Sequence, residues 1–437
     1  MHRALDRRRF LGVSLAAGAL GSAACQGTTH VSGAVPVASA SDEWSLIRDL
    51  FPLARDRIHM TGLLLASHPS PVRDAIERHR RGLDEDPVNY LEENGGRLEQ
   101  EARVAAARYV GGDPDEIALT DSTTMGLGLL YTALDLRPGD EILTTEHDHY
   151  STKTSLDNAA ARTGATLKRI ALYTRSETAS EEEIVGAVSA AVTPRTRVIA
   201  LTWVHSGTGV RIPIAHIAAA VARLNAERDE KARALLCVDG VHGFGSTENA
   251  VSELGCDFFV AGCHKWIFGP RGTGIVWGRA RAWPAVRPTI PPFDMVPGKV
   301  PGRDRRAPPV LARRITPGGF HSFEHRWALA EAFALHERIG RERVASRIHA
   351  LNRQLKEGLA GMQNVKVYTP RADALSAGLT CFDVAGLAPD AVVARLAQKR
   401  IIASQTPYET SYARLTPGLL NSPEEVDAAL RAVRELT

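Results

Sequence analysis

Two residue types at two strand-like ends carry the most specific chemistry in this chain. Asp239 opens the segment Asp239-Gly240-Val241-His242, and Lys265 stands in Cys263-His264-Lys265-Trp266, ahead of Gly269-Pro270-Arg271-Gly272-Thr273-Gly274. A lysine amine forms an imine with an aldehyde cofactor, and a carboxylate keeps the pyridine nitrogen of such a cofactor protonated. That chemistry requires both groups in one crevice. The run 233–238 is apolar and bounded by charge, which predicts a buried parallel strand delivering Asp239 at its carboxyl end. Cys256-Asp257-Phe258-Phe259-Val260-Ala261 repeats the pattern just ahead of Lys265. Ligands of open α/β sheets bind outside the carboxyl ends of the strands, so adjacent strands ending here bring amine and carboxylate together.

The rest of the chain supplies the scaffold this requires. Strand-like runs at 116–120, 141–145, 166–172, 197–204, 234–238 and 258–261 alternate with helical stretches, predicting a mainly parallel sheet flanked by helices. Beyond a Pro- and Arg-rich stretch at 281–314, a long helical pattern over 324–362 leads into short strands at 365–368 and 378–384. The expected organisation is a leader at 1–40, an N-terminal arm with a large domain at 41–320, and a small C-terminal α/β domain at 321–437.

Other strand ends carry polar clusters. Thr120-Asp121-Ser122-Thr123-Thr124 opens a helix, where hydroxyls and free amides suit either an anion or an ordinary cap. Glu146-His147-Asp148-His149 and Thr202-Trp203-Val204-His205-Ser206-Gly207-Thr208-Gly209 follow apolar runs, and Tyr412-Ala413-Arg414-Leu415-Thr416-Pro417 lies near the C-terminus. The ordered set resembles the class V aminotransferase branch of the fold type I pyridoxal phosphate enzymes, particularly its isopenicillin N epimerase-like members, over residues 57–437. The resemblance implies the α/β fold of a fold type I PLP-dependent transferase, with pyridoxal 5'-phosphate as cofactor. It implies Lys265 as the catalytic Schiff-base lysine and Asp239 as the partner of the pyridine nitrogen. His242 then lies near the ring oxygen, Ser206 near that oxygen or the substrate, and His264 beside the cofactor. Ser122, Thr123 and Thr124 face the phosphate, and His147 stacks on the ring. Arg414 grips the substrate carboxylate, since a guanidinium fork matches a carboxylate bidentately. Relatives build such sites at a subunit interface, which implies a homodimer.

Departures from the family narrow the reaction. Cysteine desulfurases of this class carry a nucleophilic cysteine shortly before the arginine, whereas 402–412 contains none, and Cys381 lies in the apolar run 379–382. Desulfuration is therefore not expected. The stretch 318–322 differs from the desulfurase segment that contacts a neighbouring subunit's phosphate, and no contact is assigned there. A small-molecule amino acid or peptide-like substrate is expected, with aminotransferase-type chemistry ahead of epimerisation, decarboxylation, or a silent pyridoxal phosphate-binding module.

The N-terminus speaks to location. Arg7-Arg8-Arg9-Phe10-Leu11 and the Ala/Gly/Leu stretch after it resemble a twin-arginine export signal, too short and mild for stable membrane insertion. Ala38-Ser39-Ala40 suits cleavage after Ala40, while Cys25 lacks the aliphatic residue of a lipoprotein box. The partner expected for this segment is the twin-arginine export machinery, and the destination is the periplasm or the exterior. A net charge of +3 and the lack of interleaved stacking aromatics in 281–314, whose aromatics are Trp283 and Phe293 alone, argue against nucleic acid. No metal is expected at His147, Asp148 and His149, which lack Cys pairs or helical His spacing.

Overall fold

The computed structural model describes residues 40–293 and 312–436. The twin-arginine segment, Cys25, Ala38 and Ser39 lie outside the described residues, as does the centre of the Pro- and Arg-rich stretch. Trp44–Thr437 forms one compact unit. No helix among the described residues is long and apolar enough to cross a membrane.

Helix α1 (Ala40–Asp49) precedes the short strand β1 (Ile58–His59), followed by α2 (Ser70–Glu85) and α3 (Pro87–Val110). Strands and helices then alternate as β2 (Ile117–Thr120), α4 (Thr123–Ala133), β3 (Glu141–Thr145), α5 (Tyr150–Thr163), β4 (Thr166–Ile170), α6 (Glu181–Ala191), β5 (Thr196–Thr202) and α7 (Ile214–Asn225). Next come β6 (Leu235–Asp239), β7 (Phe258–Gly262) and β8 (Gly274–Gly278). These strands form a seven-stranded sheet in the order β2-β8-β7-β6-β5-β3-β4. All neighbours pair parallel except β8, which is antiparallel to both β2 and β7. The expected mainly parallel sheet is thus present. β8 was not anticipated, because a five-residue run closed by glycines at both ends reads as loop.

Apolar residues alternate between the two sheet faces, as the two-residue period of a strand demands. Ile142, Val198 and Ala200 join Leu127 and Leu130 of α4 and Leu156 of α5. Leu143, Ile199 and Leu201 join the opposite core, which includes residues of α3, α6 and α7. Both faces are therefore covered, and the open carboxyl edge of the strands is left for chemistry.

The expected long helix is two, α8 (Phe323–Ile339) and α9 (Arg341–Ala360), broken at Gly340, whose φ of 94° ends the first helix. Helix α8 packs on α2 and α3. The chain closes with β9 (Val365–Val367), β10 (Thr380–Val384), α10 (Pro389–Gln398), β11 (Ile401–Ile402), β12 (Ser404–Gln405), β13 (Ala413–Leu415) and α11 (Pro423–Arg434). A second, antiparallel sheet runs β12-β13-β10-β9 over its own core from α9, α10 and α11. β1 pairs parallel with β11, tying the N-terminal arm to this C-terminal part.

Buried histidines give the fold a measurable acid response. His336 has no exposed surface; its Nε2 bonds the Trp266 carbonyl at 2.7 Å, and its Nδ1 lies 3.3 Å from the Tyr109 hydroxyl. That pattern suits the neutral ring. Burial pushes its pKa from 6.5 to about 4, and burial does the same to His79. As pH falls, the unfolded chain takes up these protons first, so stability is lost between about pH 6.5 and 4. The melting temperature is expected to fall across that window and to recover on return to neutrality.

Candidate active site

The carboxyl ends of β2, β3, β5, β6 and β7 converge on one edge. Asp239 is the last residue of β6, and β6 pairs parallel with β7, whose end leads within three residues to Lys265. Asp239 is 2% exposed; its Oδ1 accepts from the Val241 backbone N–H at 3.2 Å and its Oδ2 from Thr152 Oγ1 at 3.3 Å. The turn after it is as close as backbone allows, for a Cβ on Gly240 would lie 1.9 Å from Phe259 Cζ. Lys265 Nζ stands 3.5 Å from His242 Nε2. Burial raises the Asp239 carboxyl above its usual range and lowers the Lys265 amine below its own, while the two charges favour each other. Removed from water, the amine is closer to its neutral, nucleophilic form.

The tetrapeptide 146–149 resolves differently from expectation. His147 does not face this crevice: its ring stacks on Tyr173, with centroids 4.1 Å apart and planes 11° apart, and its Nε2 accepts from the Leu172 N–H at 3.1 Å. The residue that turns toward the crevice is His149, whose pKa falls to about 4 through burial and then through the charges of Lys265 and Arg414. Asp148 explains the switch. Its side chain folds back to accept from Thr144 Oγ1, Thr145 N and Oγ1, and Thr202 N and Oγ1, at 2.6–3.0 Å. The clamp joins β3 to β5 and leaves His149 as the N-cap of α5. Asp148 is therefore structural, and its oxygens are fully used. Asp148→Asn turns one acceptor into a donor facing donors, and a loss of about 3 kcal/mol is expected from unmatched buried groups. Denaturant titration checks this, with a wild-type midpoint as the contrary result.

The segment after β2 divides its hydroxyls among several tasks. Ser122 caps α4, accepting from the Met125 N–H at 3.1 Å. Thr123 Oγ1 accepts from Gly262 N at 2.8 Å, so it sits beneath the end of β7, and Thr124 Oγ1 is 3.0 Å from Ser151 Oγ at the start of α5. The starts of α4 and α5 thus meet beside the strand that leads to Lys265. Among the described residues, His242 Nδ1 and His264 Nδ1 are buried without a protein partner.

Arg414 of β13 closes the other side and is 1% exposed. Its Nη1 donates to the Ser206 carbonyl at 2.7 Å and its Nε to Ser404 Oγ at 3.1 Å. Among the described residues no carboxylate pairs with it, and a buried guanidinium without a counter-charge is a site for an anion. The Ser206 hydroxyl meets the Tyr408 hydroxyl at 2.6 Å, a contact that sequence reasoning missed because 406–412 has no periodicity. Buried Asp239, His242 and Arg414 and half-buried Lys265 and His149 therefore share one electrostatic neighbourhood, whereas His147 stands outside it. An amine for an aldehyde, a carboxylate for a pyridine nitrogen, buried imidazole nitrogens lacking partners and two helix starts rich in hydroxyls are the groups pyridoxal phosphate requires. The residues fit it.

Comparison with known proteins agrees. The model of the aminotransferase class-V family matches residues 88–411. Isopenicillin N epimerase of Streptomyces clavuligerus is 26% identical over 379 residues, covering 84% of this chain and 92% of the relative. A probable cysteine desulfurase of Vibrio cholerae is 25% identical over 364 residues, covering 76% and 81%. In fold, a C-DES mutant with glycine covalently linked to its PLP cofactor superimposes with a TM-score of 0.79 at 23% identity, over 89% of this chain and 99% of the other. The chain belongs to the class-V aminotransferase family, whose cofactor is pyridoxal phosphate.

Proposed function

We propose that this is an exported pyridoxal phosphate enzyme, working as a homodimer by aminotransferase-type chemistry at the α-carbon of an amino acid or of an amino-acid group in a peptide-like metabolite. The observation that carries this reading is Arg414, a buried cation that pairs with no carboxylate among the described residues and lies close enough to Lys265 to act on its charge. Arg414 binds the substrate carboxylate and fixes the α-carbon beside Lys265. Lys265 holds the cofactor and then moves the α-proton. Asp239 keeps the ring nitrogen's proton in place, and the bound cofactor supplies an electron sink for the pair left on the α-carbon. Thr123, Thr124 and the free amides of α4 hold the phosphate, with Ser122 supporting them as cap. His242 and Ser206 would serve the cofactor's ring oxygen, His264 would flank the lysine, and His149 would take the place that the resemblance gives His147.

Epimerisation is the second reading, favoured by the likeness to isopenicillin N epimerase. Desulfuration is disfavoured by the cysteines themselves. Cys381 is fully buried in β10 opposite Arg414, and burial pushes its thiol up to about 11, far from a reactive thiolate. Export rests on Arg7-Arg8-Arg9 and the stretch after it, with the periplasm or exterior as destination and lipid attachment at Cys25 disfavoured.

The test uses protein from Ser41 onward, loaded with cofactor and exposed to a panel of amino acids and small peptides. Bleaching of the visible cofactor band, with release of its amine form, is the expected result. An unchanged band with exchange of the α-proton in deuterium oxide would select epimerisation, and neither change with any donor would contradict both.

A further inference from the structure

Segment 406–412 lies beside Arg414 and is braced by its own hydrogen bonds. Thr406 N donates to the Tyr412 carbonyl at 2.9 Å, Tyr412 N donates to Thr406 Oγ1 at 2.9 Å, and Ser411 Oγ donates to the Thr406 carbonyl at 2.6 Å. The braced turn presents Tyr408 to the crevice. Its hydroxyl meets Ser206 Oγ at 2.6 Å, and its ring lies against Gly207, where an added Cβ would sit 3.1 Å from Cδ2. The ring is edge-on to His149, with centroids 6.2 Å apart and planes at 80°. Ser206 in turn accepts Arg414 Nη1 on its carbonyl. Tyr408 therefore contacts both the loop that holds the guanidinium and the imidazole on the other side of the crevice. No step proposed above uses this phenol.

A bulky ring fixed here has two physical consequences. It keeps water from the guanidinium, and in a dry site the difference in Coulomb energy between a carboxylate and a neutral amide is large, whereas water admitted to the site reduces it. It also fills the space beside Ser206, Gly207 and His149 at the Arg414 end of the crevice.

We infer that Tyr408 is a specificity-determining residue: by closing the Arg414 end of the crevice it selects substrates with a free α-carboxylate and turns away α-amides and amino acids linked through their carboxyl group. The inference rests on the amino-acid reading above.

Calorimetric titration of the cofactor-loaded protein with L-alanine, L-alaninamide and L-alanyl-glycinamide tests it, because alanine's side chain is too small to decide the ranking. A parallel series in a Lys265→Ala background removes turnover from the measurement. With Tyr408 intact, alanine is expected to bind at least about 100-fold more tightly than either neutral-ended ligand. Tyr408→Ala reduces that ratio to about tenfold or less, while alanine's own affinity changes by less than about fivefold. Tyr408→Phe, which keeps the ring, continues to exclude the dipeptide. Tyr408→Leu is read in the same way should the alanine variant not fold. An unchanged ratio in the Ala or Leu variant, or equal affinity of the intact protein for all three ligands, overturns the inference and leaves the amino-acid reading standing. Failure of all three to bind contradicts both.

Discussion

Lys265→Ala is expected to eliminate the covalent attachment of the cofactor and to reduce turnover by at least about 10³-fold, the combined cost of losing a nucleophile and a proton carrier. The size follows from where the amine stands. It lies 3.5 Å from His242 and is half-buried, on the loop after the strand that pairs with the one ending in Asp239. His242 does not substitute for it, because burial, the largest cause, lowers this imidazole's pKa in the variant as well. Stability is expected to change far less, since the variant removes a desolvated amine and leaves the sheet intact. Lys265→Arg keeps a charge but not a usable nucleophile, so it is expected to be as inactive as Lys265→Ala. Single-turnover kinetics on both variants check this, and residual activity within tenfold of the parent would contradict it.

Asp239→Asn is expected to lower turnover by about 10²–10³-fold while leaving the melting temperature of the cofactor-free protein unchanged or slightly raised. Function and stability diverge for a physical reason. A buried carboxylate is costly in the folded chain, as the upward shift of its pKa records, and asparagine removes that cost. One of its bonds survives, because the amide oxygen still accepts the Val241 N–H. What is lost is the negative charge that the proposed function sets against the cofactor's ring nitrogen. The visible spectrum of the loaded variant should shift, and turnover should fall even at saturating substrate. A variant with parental turnover would remove Asp239 from the role assigned to it.

The sequence revealed the site's frame where the controlling forces are local. Parallel strands buried on both faces read as continuous apolar runs, so β6 and β7 were visible, and with them the juxtaposition of Asp239 and Lys265. The identity of the histidine facing the crevice was not local. His147 and His149 sit in one tetrapeptide, and the choice between them is made by Asp148 reaching Thr202, a residue 54 positions away. β8 escaped notice because three residues between two glycines carry too little pattern, although its pairing with both β2 and β7 completes the sheet. Tyr408 lies in a loop shaped by side-chain to backbone bonds, which leave no periodic trace. Arg414 was singled out by resemblance, while the lack of a carboxylate beside it among the described residues became visible only in the fold.

The central claim is that Lys265 carries pyridoxal phosphate. Borohydride reduction of the cofactor-loaded protein, followed by peptide mapping with mass spectrometry, tests it most directly. A pyridoxyl-phosphate adduct on the peptide containing Lys265, absent from the Lys265→Ala variant, is the predicted result. An adduct on a different lysine, or none on a protein that holds the cofactor, would contradict it.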